Sequence, residues 1–206
     1  VYNDTDGDVA TTVYDATGKR LSYSYEDGGD TRNWLSYTNF YNDQNVRVSQ
    51  EILYDNGDVG QKTFTDGIIA GMTITELDGD LKSLTYDASG QRQTYQFEDI
   101  SDTRSWSEYT NYYNATGQRT QKIVQSDNGD VSDFTYDGGL LTRLVVTESD
   151  GDISTTEFDA LERMDSFVFE DISNSETWTL YTNYYDDAEM RVSKVVEFDN
   201  GGPATY

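Results

Sequence analysis

Residues 54–59 read YDNGDV, and this short stretch decides how the chain is expected to fold. Asn-Gly between strand-forming residues is the strongest local signal for a β-hairpin, because a two-residue type I′ turn needs positive φ at both central positions. Related letters return as SDNGDV at 126–131 and as FDNGG at 198–202. The stretch therefore predicts a hairpin tip that the chain uses three times.

The composition favours sheets throughout. Of the 206 residues, 35% are hydrophobic and 14% are aromatic, with 17 Tyr, 17 Gly and a single Pro. Aromatic and β-branched residues favour strands, and disordered chains lack them. We therefore expect an all-β fold of tandem antiparallel β-hairpins that form an extended, curled or coiled sheet. A parallel β-solenoid is the alternative, and it ranks lower because two-residue turns reverse a chain whereas parallel strands need crossovers.

The chain is an internal repeat with a period of 72 residues. YDATGKRLSYSYED at 14, YDASGQRQTYQFED at 86 and FDALERMDSFVFED at 158 correspond, and so do WLSYTNFYN at 34, WSEYTNYYN at 106 and WTLYTNYYD at 178. Alternating polar and apolar residues predict about sixteen strands. Residues 1–206 are therefore expected to be one repeat array with units starting near 14, 86 and 158. Val1 and Tyr206 align with mid-strand positions, which indicates a section of a longer array.

The charge limits the classes of partner and chemistry. Fourteen Lys and Arg against 39 Asp and Glu give a formal net charge of −25, so we expect no nucleic acid partner. No apolar run approaches the roughly 20 residues that a membrane helix requires, so no membrane insertion is expected. The sequence has no His and no Cys, which removes the commonest general base and thiol chemistry. It is not expected to be an enzyme.

Acidic turns are the candidate metal ligands. DTDGD at 4–8 resembles half of a calcium loop, with carboxylates at alternate positions, whereas LDGD at 77–80 and SDGD at 149–152 lack the first Asp. A plain hairpin turn is the favoured interpretation, and calcium is the only cofactor that the pattern allows. The acidic connections EDGGD at 26–30, EDISD at 98–102 and EDISN at 170–174 are expected to be solvated loops. The candidate metal ligands are Asp4, Asp6, Asp8, Asp78, Asp80, Asp150 and Asp152.

Aromatic rows are the candidate binding or assembly residues. Each repeat carries a Trp followed by Tyr-Thr-Asn, and Asn is a poor strand former, so its return predicts a hydrogen bond to a neighbouring strand or chain. Packing between strands is the favoured interpretation, and a row of sugar-binding platforms is the alternative. Arg47, Arg119 and Arg191 recur too and are expected to pair with carboxylates. The candidate residues are Trp34, Tyr37, Asn39, Tyr41, Trp106, Tyr109, Asn111, Tyr113, Trp178, Tyr181, Asn183 and Tyr185.

The Tyr-Asp motifs resemble a known family. TYDASGQRQTYQF at 85–97, YYNATGQRTQKI at 112–123 and TYDGGLLTRLVV at 135–146 are similar to the YD repeats of bacterial Rhs-type and related secreted proteins. The acidic arrays of RTX-type secreted proteins look similar as well. The resemblance implies successive β-hairpins in a long sheet that acts as a shell or scaffold.

These observations predict a non-enzymatic structural repeat segment of a secreted or cell-surface bacterial protein. It would form an extended scaffold, a filament or an adhesin stalk, with neighbouring repeats or copies of itself as partners. Two alternatives remain open. One is a polysaccharide-binding module that uses the Trp and Tyr rows, and the other is an Rhs-type shell that encloses a toxin.

Overall fold

Strands and tight turns account for the whole architecture. The computed structural model describes residues 1–3 and 5–206, and every strand pairing it defines within a compact unit joins consecutive strands in antiparallel fashion. This confirms the expected all-β fold of tandem antiparallel hairpins. The alternative, a parallel β-solenoid, is wrong because each tight turn reverses the chain onto its neighbour. No helix in the described residues is long and apolar enough to cross a membrane.

The first of two compact units comprises Val1–Asp102. Its described residues form nine strands in sequence order. These are β1 (Tyr2–Asn3), β2 (Val9–Tyr14), β3 (Arg20–Glu26), β4 (Trp34–Tyr41), β5 (Arg47–Tyr54), β6 (Val59–Thr65), β7 (Ile68–Thr75), β8 (Leu81–Tyr86) and β9 (Arg92–Glu98).

The second compact unit comprises Thr103–Tyr206 and repeats the same meander. Its strands are β10 (Trp106–Tyr113), β11 (Arg119–Ser126), β12 (Val131–Asp137), β13 (Leu140–Thr147), β14 (Ile153–Phe158), β15 (Met164–Glu170), β16 (Trp178–Tyr185), β17 (Arg191–Phe198) and β18 (Pro203–Thr205). The described residues thus form eighteen strands, against the sixteen or so expected, because short strands lie at both ends.

The YDNGDV stretch is a hairpin tip, but its turn type differs from the prediction. Gly57 donates its N–H to the Tyr54 carbonyl at 3.0 Å, and the Tyr54 N–H bonds the Asp58 carbonyl at 3.0 Å. Only Gly57 has positive φ, at 90°, and Asn56 does not. This is a three-residue loop with a left-handed third residue, so the expected type I′ turn is wrong here. Two-residue turns occur instead at Asp66-Gly67 and at residues 138–139, where both central residues have positive φ.

At the other ends of the strands, a side chain organises each five-residue connection. Asp15 Oδ1 accepts the backbone N–H of Thr17 at 2.8 Å and of Lys19 at 2.9 Å. The fourth position of the loop, Gly18, has a φ of 83°. The Asx side chain stabilises the rest of the loop through these hydrogen bonds. Only the left-handed fourth position therefore favours glycine.

One copy of this loop carries a strained residue. Glu189 has a φ of 56° where the equivalent residues 45 and 117 are Asn and Gly. Its carboxylate accepts the Met164 N–H over a long 3.4 Å and interacts electrostatically with Arg163. We therefore expect Glu189→Gly to raise the free energy of unfolding by about 0.5–1 kcal/mol, measured by urea titration. Ala188→Gly in the same loop is the control, because residue 188 has no positive φ and its methyl group takes part in no hydrogen bond, so the variant gains only unfolded-state entropy. An equal gain for both variants would contradict the strain argument.

Each sheet has two chemically different faces. The face that carries Tyr37 and its cross-strand partners Tyr25 and Ile52 is called the aromatic face, and it holds the buried apolar side chains Ile52, Phe97 and Val196. The opposite, polar face carries mainly hydroxyl, amide and carboxyl groups in the first unit. One of its rows runs through Thr11, Ser24, Thr38, Glu51, Gln61, Thr73, Ser83 and Gln96. Because successive side chains point to opposite faces, every second residue of a strand lies on the aromatic face.

Candidate functional site

The predicted aromatic residues lie on β4, β10 and β16 and form clusters. In the first repeat the Trp34 and Tyr37 rings meet edge to face at 5.0 Å, and Tyr25 of β3 lies 5.7 Å from Trp34. Tyr25 also stacks on Tyr37, with the ring centroids 5.9 Å apart. Such pairs stabilise a sheet beyond the area they bury. The rings are half-buried, so packing between strands accounts for most of their contact.

The third repeat reproduces this cluster. Trp178 and Tyr181 lie 5.0 Å apart, and Phe169 of β15 lies 5.6 Å from Trp178 and 5.8 Å from Tyr181. In the second repeat Trp106 and Tyr109 again meet edge to face at 5.0 Å. The Trp and Tyr residues that recur every 72 positions therefore have the same ring-to-ring geometry in each repeat. Tyr113 and Tyr185 are the last residues of the same strands.

The repeated Asn is buried and accepts a hydrogen bond from the next strand. Asn39 Oδ1 accepts Arg47 Nη1 at 3.3 Å, and the Arg47 guanidinium lies 3.8 Å over the Phe64 ring. Asn111, Arg119 and Tyr136 repeat this arrangement, at 3.4 Å and 4.0 Å. The predicted hydrogen bond to a neighbouring strand is thus present. The predicted Arg–carboxylate pairs are wrong for these two arginines, which stack on a ring and bond an amide oxygen instead.

In the third repeat the buried Asn183 Oδ1 has no hydrogen-bond partner among the described residues. Arg191 is the equivalent of Arg47, and it is exposed. Asn183 therefore keeps its place in the sheet without the guanidinium contact that the other two copies have.

Ring burial and cations shape the electrostatics of this face. Burial is the main cause that raises the pKa of Tyr37 and of Tyr181. Arg20 lies 3.8 Å over the Tyr41 ring. A guanidinium over an aromatic face gains attraction without needing a carboxylate. The aromatic face therefore holds Arg20 by attraction to a ring.

At the loop edge, buried aspartates join each hairpin tip to the following loop. Asp152 is 4% exposed, and its Oδ1 accepts the backbone N–H of Ser173 at 2.6 Å while its Oδ2 accepts the Ser173 hydroxyl at 3.2 Å. Asp80 Oδ1 accepts the Ser101 N–H at 2.9 Å in the same way. We call these contacts carboxylate latches. They span 21 residues along the chain and fix one connection to the next.

In the first repeat the latch is more elaborate. Asp8 Oδ1 accepts the Gly29 N–H at 3.3 Å, and its other oxygen accepts the Tyr25 hydroxyl and lies 3.3 Å from Arg32 Nη1. The Tyr25 hydroxyl, the Gly29 amide and Arg32 together lower the pKa of Asp8. Here a carboxylate predicted as a metal ligand already has its oxygens engaged by protein donors.

The DNGD tips form latches of the same kind. Asp58 Oδ1 accepts the Leu77 N–H at 3.1 Å, and Asp130 Oδ1 accepts the Ser149 N–H at 2.9 Å. The Asp that follows Asn-Gly therefore stabilises the neighbouring hairpin as well as its own turn.

The long acidic loops are not simply solvated. Asp27 and Asp171 are 8% and 7% exposed. Asp27 Oδ2 accepts the N–H groups of Thr31 and Arg32 at 3.0 and 2.7 Å. Asp171 holds its own loop in the same way, through residues 175 and 176. The prediction of a solvated loop is wrong for these carboxylates because the loop folds its backbone donors around them.

Two carboxylate clusters could hold a metal ion. Ligand oxygens of Glu76, Asp78 and Asp80 lie within 4.8 Å of one another, and those of Glu148, Asp150 and Asp152 do the same. Four of these residues were predicted, whereas Glu76 and Glu148 were missed. The signal was in the sequence, since Glu stands in both later copies where the first copy has Asp4. Asp4 itself lies outside the described residues, and Asp6 Oδ1 lies 3.5 Å from the Asp8 N–H.

The two clusters differ in charge balance. Lys82 forms an ion pair with Glu76, while the position equivalent to Lys82 in the next repeat is Ser154. Burial and the neighbouring carboxylates Asp150, Asp130 and Asp152 raise the pKa of Glu148. The cluster at Glu148 is therefore the more electronegative of the two.

We expect calcium to raise the melting temperature no more than magnesium does at matched ionic strength. One carboxylate in each cluster is occupied by a latch, and Glu76 is neutralised by Lys82, which leaves incomplete ligand sets. Thermal unfolding followed by circular dichroism checks this. A gain specific to calcium that Glu148→Gln abolishes would contradict it and would identify the Glu148 cluster as a metal site.

Comparisons with known proteins give little beyond this geometry. No protein-family model matches the chain, and no curated protein matches it. A crystal structure of TcdB2-TccC3 without its hypervariable C-terminal region is 16% identical over 94% of this chain and 12% of that chain, with a TM-score of 0.30. A porin-like protein from Bacteroides uniformis ATCC 8492 is 13% identical over 96% of this chain and 89% of that chain, with a TM-score of 0.25. Similarity at these TM-scores carries no argument about function.

Proposed function

We propose that this chain is a non-enzymatic structural repeat segment, an extended scaffold, filament or adhesin stalk of a secreted or cell-surface bacterial protein. One observation carries the proposal: carboxylate latches join neighbouring connections at the loop edge, and they recur at 72-residue spacing. The Asp80–Ser101 latch returns as Asp152–Ser173, and the Asp58–Leu77 latch returns as Asp130–Ser149.

This repetition is the property that a scaffold needs. Each strand within a unit pairs only with its sequence neighbours, so stability is a sum of repeat and nearest-neighbour terms. A chain of this kind gains length by adding repeats without any new long-range contact. Its partners would be neighbouring repeats or copies of itself, and the acidic surface suits a medium rich in salt or divalent cations.

Negative-stain microscopy of the native protein tests this proposal. We expect rods or fibres whose length grows with the number of 72-residue repeats. Hollow closed particles would support a shell instead, and compact monomers of constant size would contradict the scaffold.

Polysaccharide binding is the second candidate function, because a specific observation favours it. The Trp and Tyr clusters are half-buried by their neighbours, and no layer formed by the described residues of either unit covers the sheet face that bears them. Exposed ring surface beside amide groups is the chemistry that holds sugar rings. Quenching of Trp fluorescence by polysaccharides tests this candidate.

A further inference from the structure

Cations are concentrated on the aromatic face, although the chain has few of them. Arg47 and Lys62 lie there on adjacent strands, and Arg119 and Lys122 lie there on β11. Within the described residues, none of these four side chains forms an ion pair with a carboxylate. In a chain with 39 acidic residues, such segregation needs an explanation.

The arrangement is unfavourable for the isolated chain. Burial and the neighbouring Arg47 lower the pKa of Lys62, and burial and Arg119 lower the pKa of Lys122. A desolvated cation beside a like charge is stabilised best by an anion. Because the described residues supply no such anion, a ligand is the natural source.

Aromatic rings lie directly beside the lysines. Lys122 Nζ lies 5.1 Å from the centroid of Tyr109, and Lys194 Nζ lies 4.4 Å from that of Tyr181. Arg119 with Lys122 and Arg191 with Lys194 form equivalent pairs on β11 and β17 of the second unit. Six inter-strand spacings separate them, which at ~4.8 Å each is about 29 Å. The cation pair and its ring therefore recur along the sheet.

We propose that the aromatic face binds an acidic polysaccharide, with uronate carboxylates at the Arg–Lys pairs and sugar rings against the adjacent tyrosines. The inference rests on the polysaccharide-binding candidate, and it adds the charge of the polymer. A periodic polymer fits a periodic face, because several weak contacts along one chain add to a useful affinity. Carboxylate recognition by a guanidinium and an ammonium group supplies the specificity.

Binding of polygalacturonate and of its methyl ester to the 1–206 chain, measured by calorimetry, tests the inference. The two polymers share their rings and differ in charge. At about 0.1 M NaCl the Debye length is about 10 Å, so distant acidic groups are screened while the local pairs still act. We expect polygalacturonate to bind at least about tenfold more tightly than the ester.

The alternative outcomes are distinct. Equal or tighter binding of the methyl ester would overturn the inference while leaving polysaccharide binding intact, and no binding of either polymer would overturn both. Binding of polyglutamate as tight as that of polygalacturonate would overturn the assignment to a sugar polymer and point to an acidic polypeptide.

Matched variants locate the site. We expect the double variant Arg119→Gln/Lys122→Gln to bind polygalacturonate about tenfold more weakly. The control is Lys19→Gln/Arg143→Gln, which removes the same charge from an exposed loop and from the polar face, where Arg143 pairs with Glu157 at 3.1 Å. An equal loss in the control would overturn the site. Lys122→Gln alone removes a desolvated cation and should remain folded by circular dichroism, so it must also weaken binding.

Discussion

Replacing Asp152 by alanine is expected to lower the free energy of unfolding by about 2–3 kcal/mol, the largest effect of any single latch residue. The carboxylate is buried, and it accepts both the backbone N–H and the hydroxyl of Ser173. Its removal eliminates two hydrogen bonds to a charged acceptor, and a hydrogen bond to a charged group contributes about 1.5–3 kcal/mol. Urea unfolding of the 1–206 chain measures the loss.

Asp165→Ala is the matched control. It removes the same charge from an exposed position on β15, four residues before Phe169 of the aromatic cluster. We expect a change within about 0.5 kcal/mol, with some gain because the chain carries a net charge of −25. Asp152→Asn keeps an acceptor and should lose less than Asp152→Ala. If Asp152→Ala and Asp165→Ala had equal effects, the latch would contribute nothing.

Acid is expected to unfold the protein cooperatively below about pH 4. The hydroxyl of Thr17 and the N–H of Lys19 lower the pKa of Asp15, and Ser89 and the N–H of Gln91 lower the pKa of Asp87. Arg163 lowers the pKa of Asp159. In the unfolded chain an Asp titrates near 3.9, so this stabilisation is complete above that pH. It is lost as the pH falls through the lower pKa values of the folded state.

A second effect acts in the opposite direction at higher pH. Between pH 7 and the isoelectric point of about 4.1, protonation reduces the net negative charge and so the repulsion within the sheet. We therefore expect the urea midpoint to rise slightly from pH 7 towards pH 5 and to fall steeply below about pH 4. A midpoint that stays constant from pH 5 to pH 2.5 would contradict the role of these carboxylates.

The chain offers its own control for the acid loss. Asn42 stands at the loop position of Asp15, and its Oδ1 accepts the N–H groups of Gln44 and Val46 at 3.0 Å each. Asp15→Asn with Asp87→Asn should therefore preserve both loops and make the protein less sensitive to acid. Unchanged or greater acid sensitivity in this double variant would show that the lowered pKa values stabilise nothing.

Much of the fold could be read from the sequence, and local rules explain why. Hairpin positions follow from Asn-Gly and Asp-Gly pairs, and the faces follow from period-2 alternation. The 72-residue repeat predicted that equivalent residues would be equivalent in structure, and the Trp34–Tyr37 and Trp178–Tyr181 clusters bear this out. These features depend on near neighbours in the chain, which the sequence displays directly.

Other features required the folded chain. A three-residue loop with left-handed Gly57 replaces the type I′ turn because the Tyr54 N–H pairs with the Asp58 carbonyl, which leaves three residues between them. Arg47 stacks on Phe64 of the next strand, although the charge balance alone favoured a carboxylate partner.

The sequence by itself determined an all-β hairpin repeat with acidic turns and aromatic strands, because turn chemistry and alternation are local properties. Only the tertiary structure decided the roles of the carboxylates. Asp80 and Asp152 lie in the same acidic turns as Asp78 and Asp150. Of these four residues, only Asp80 and Asp152 are buried. The reason is register: pairing of successive hairpins brings a backbone N–H from 21 residues away within hydrogen-bond distance of these two side chains. No local pattern specifies that encounter.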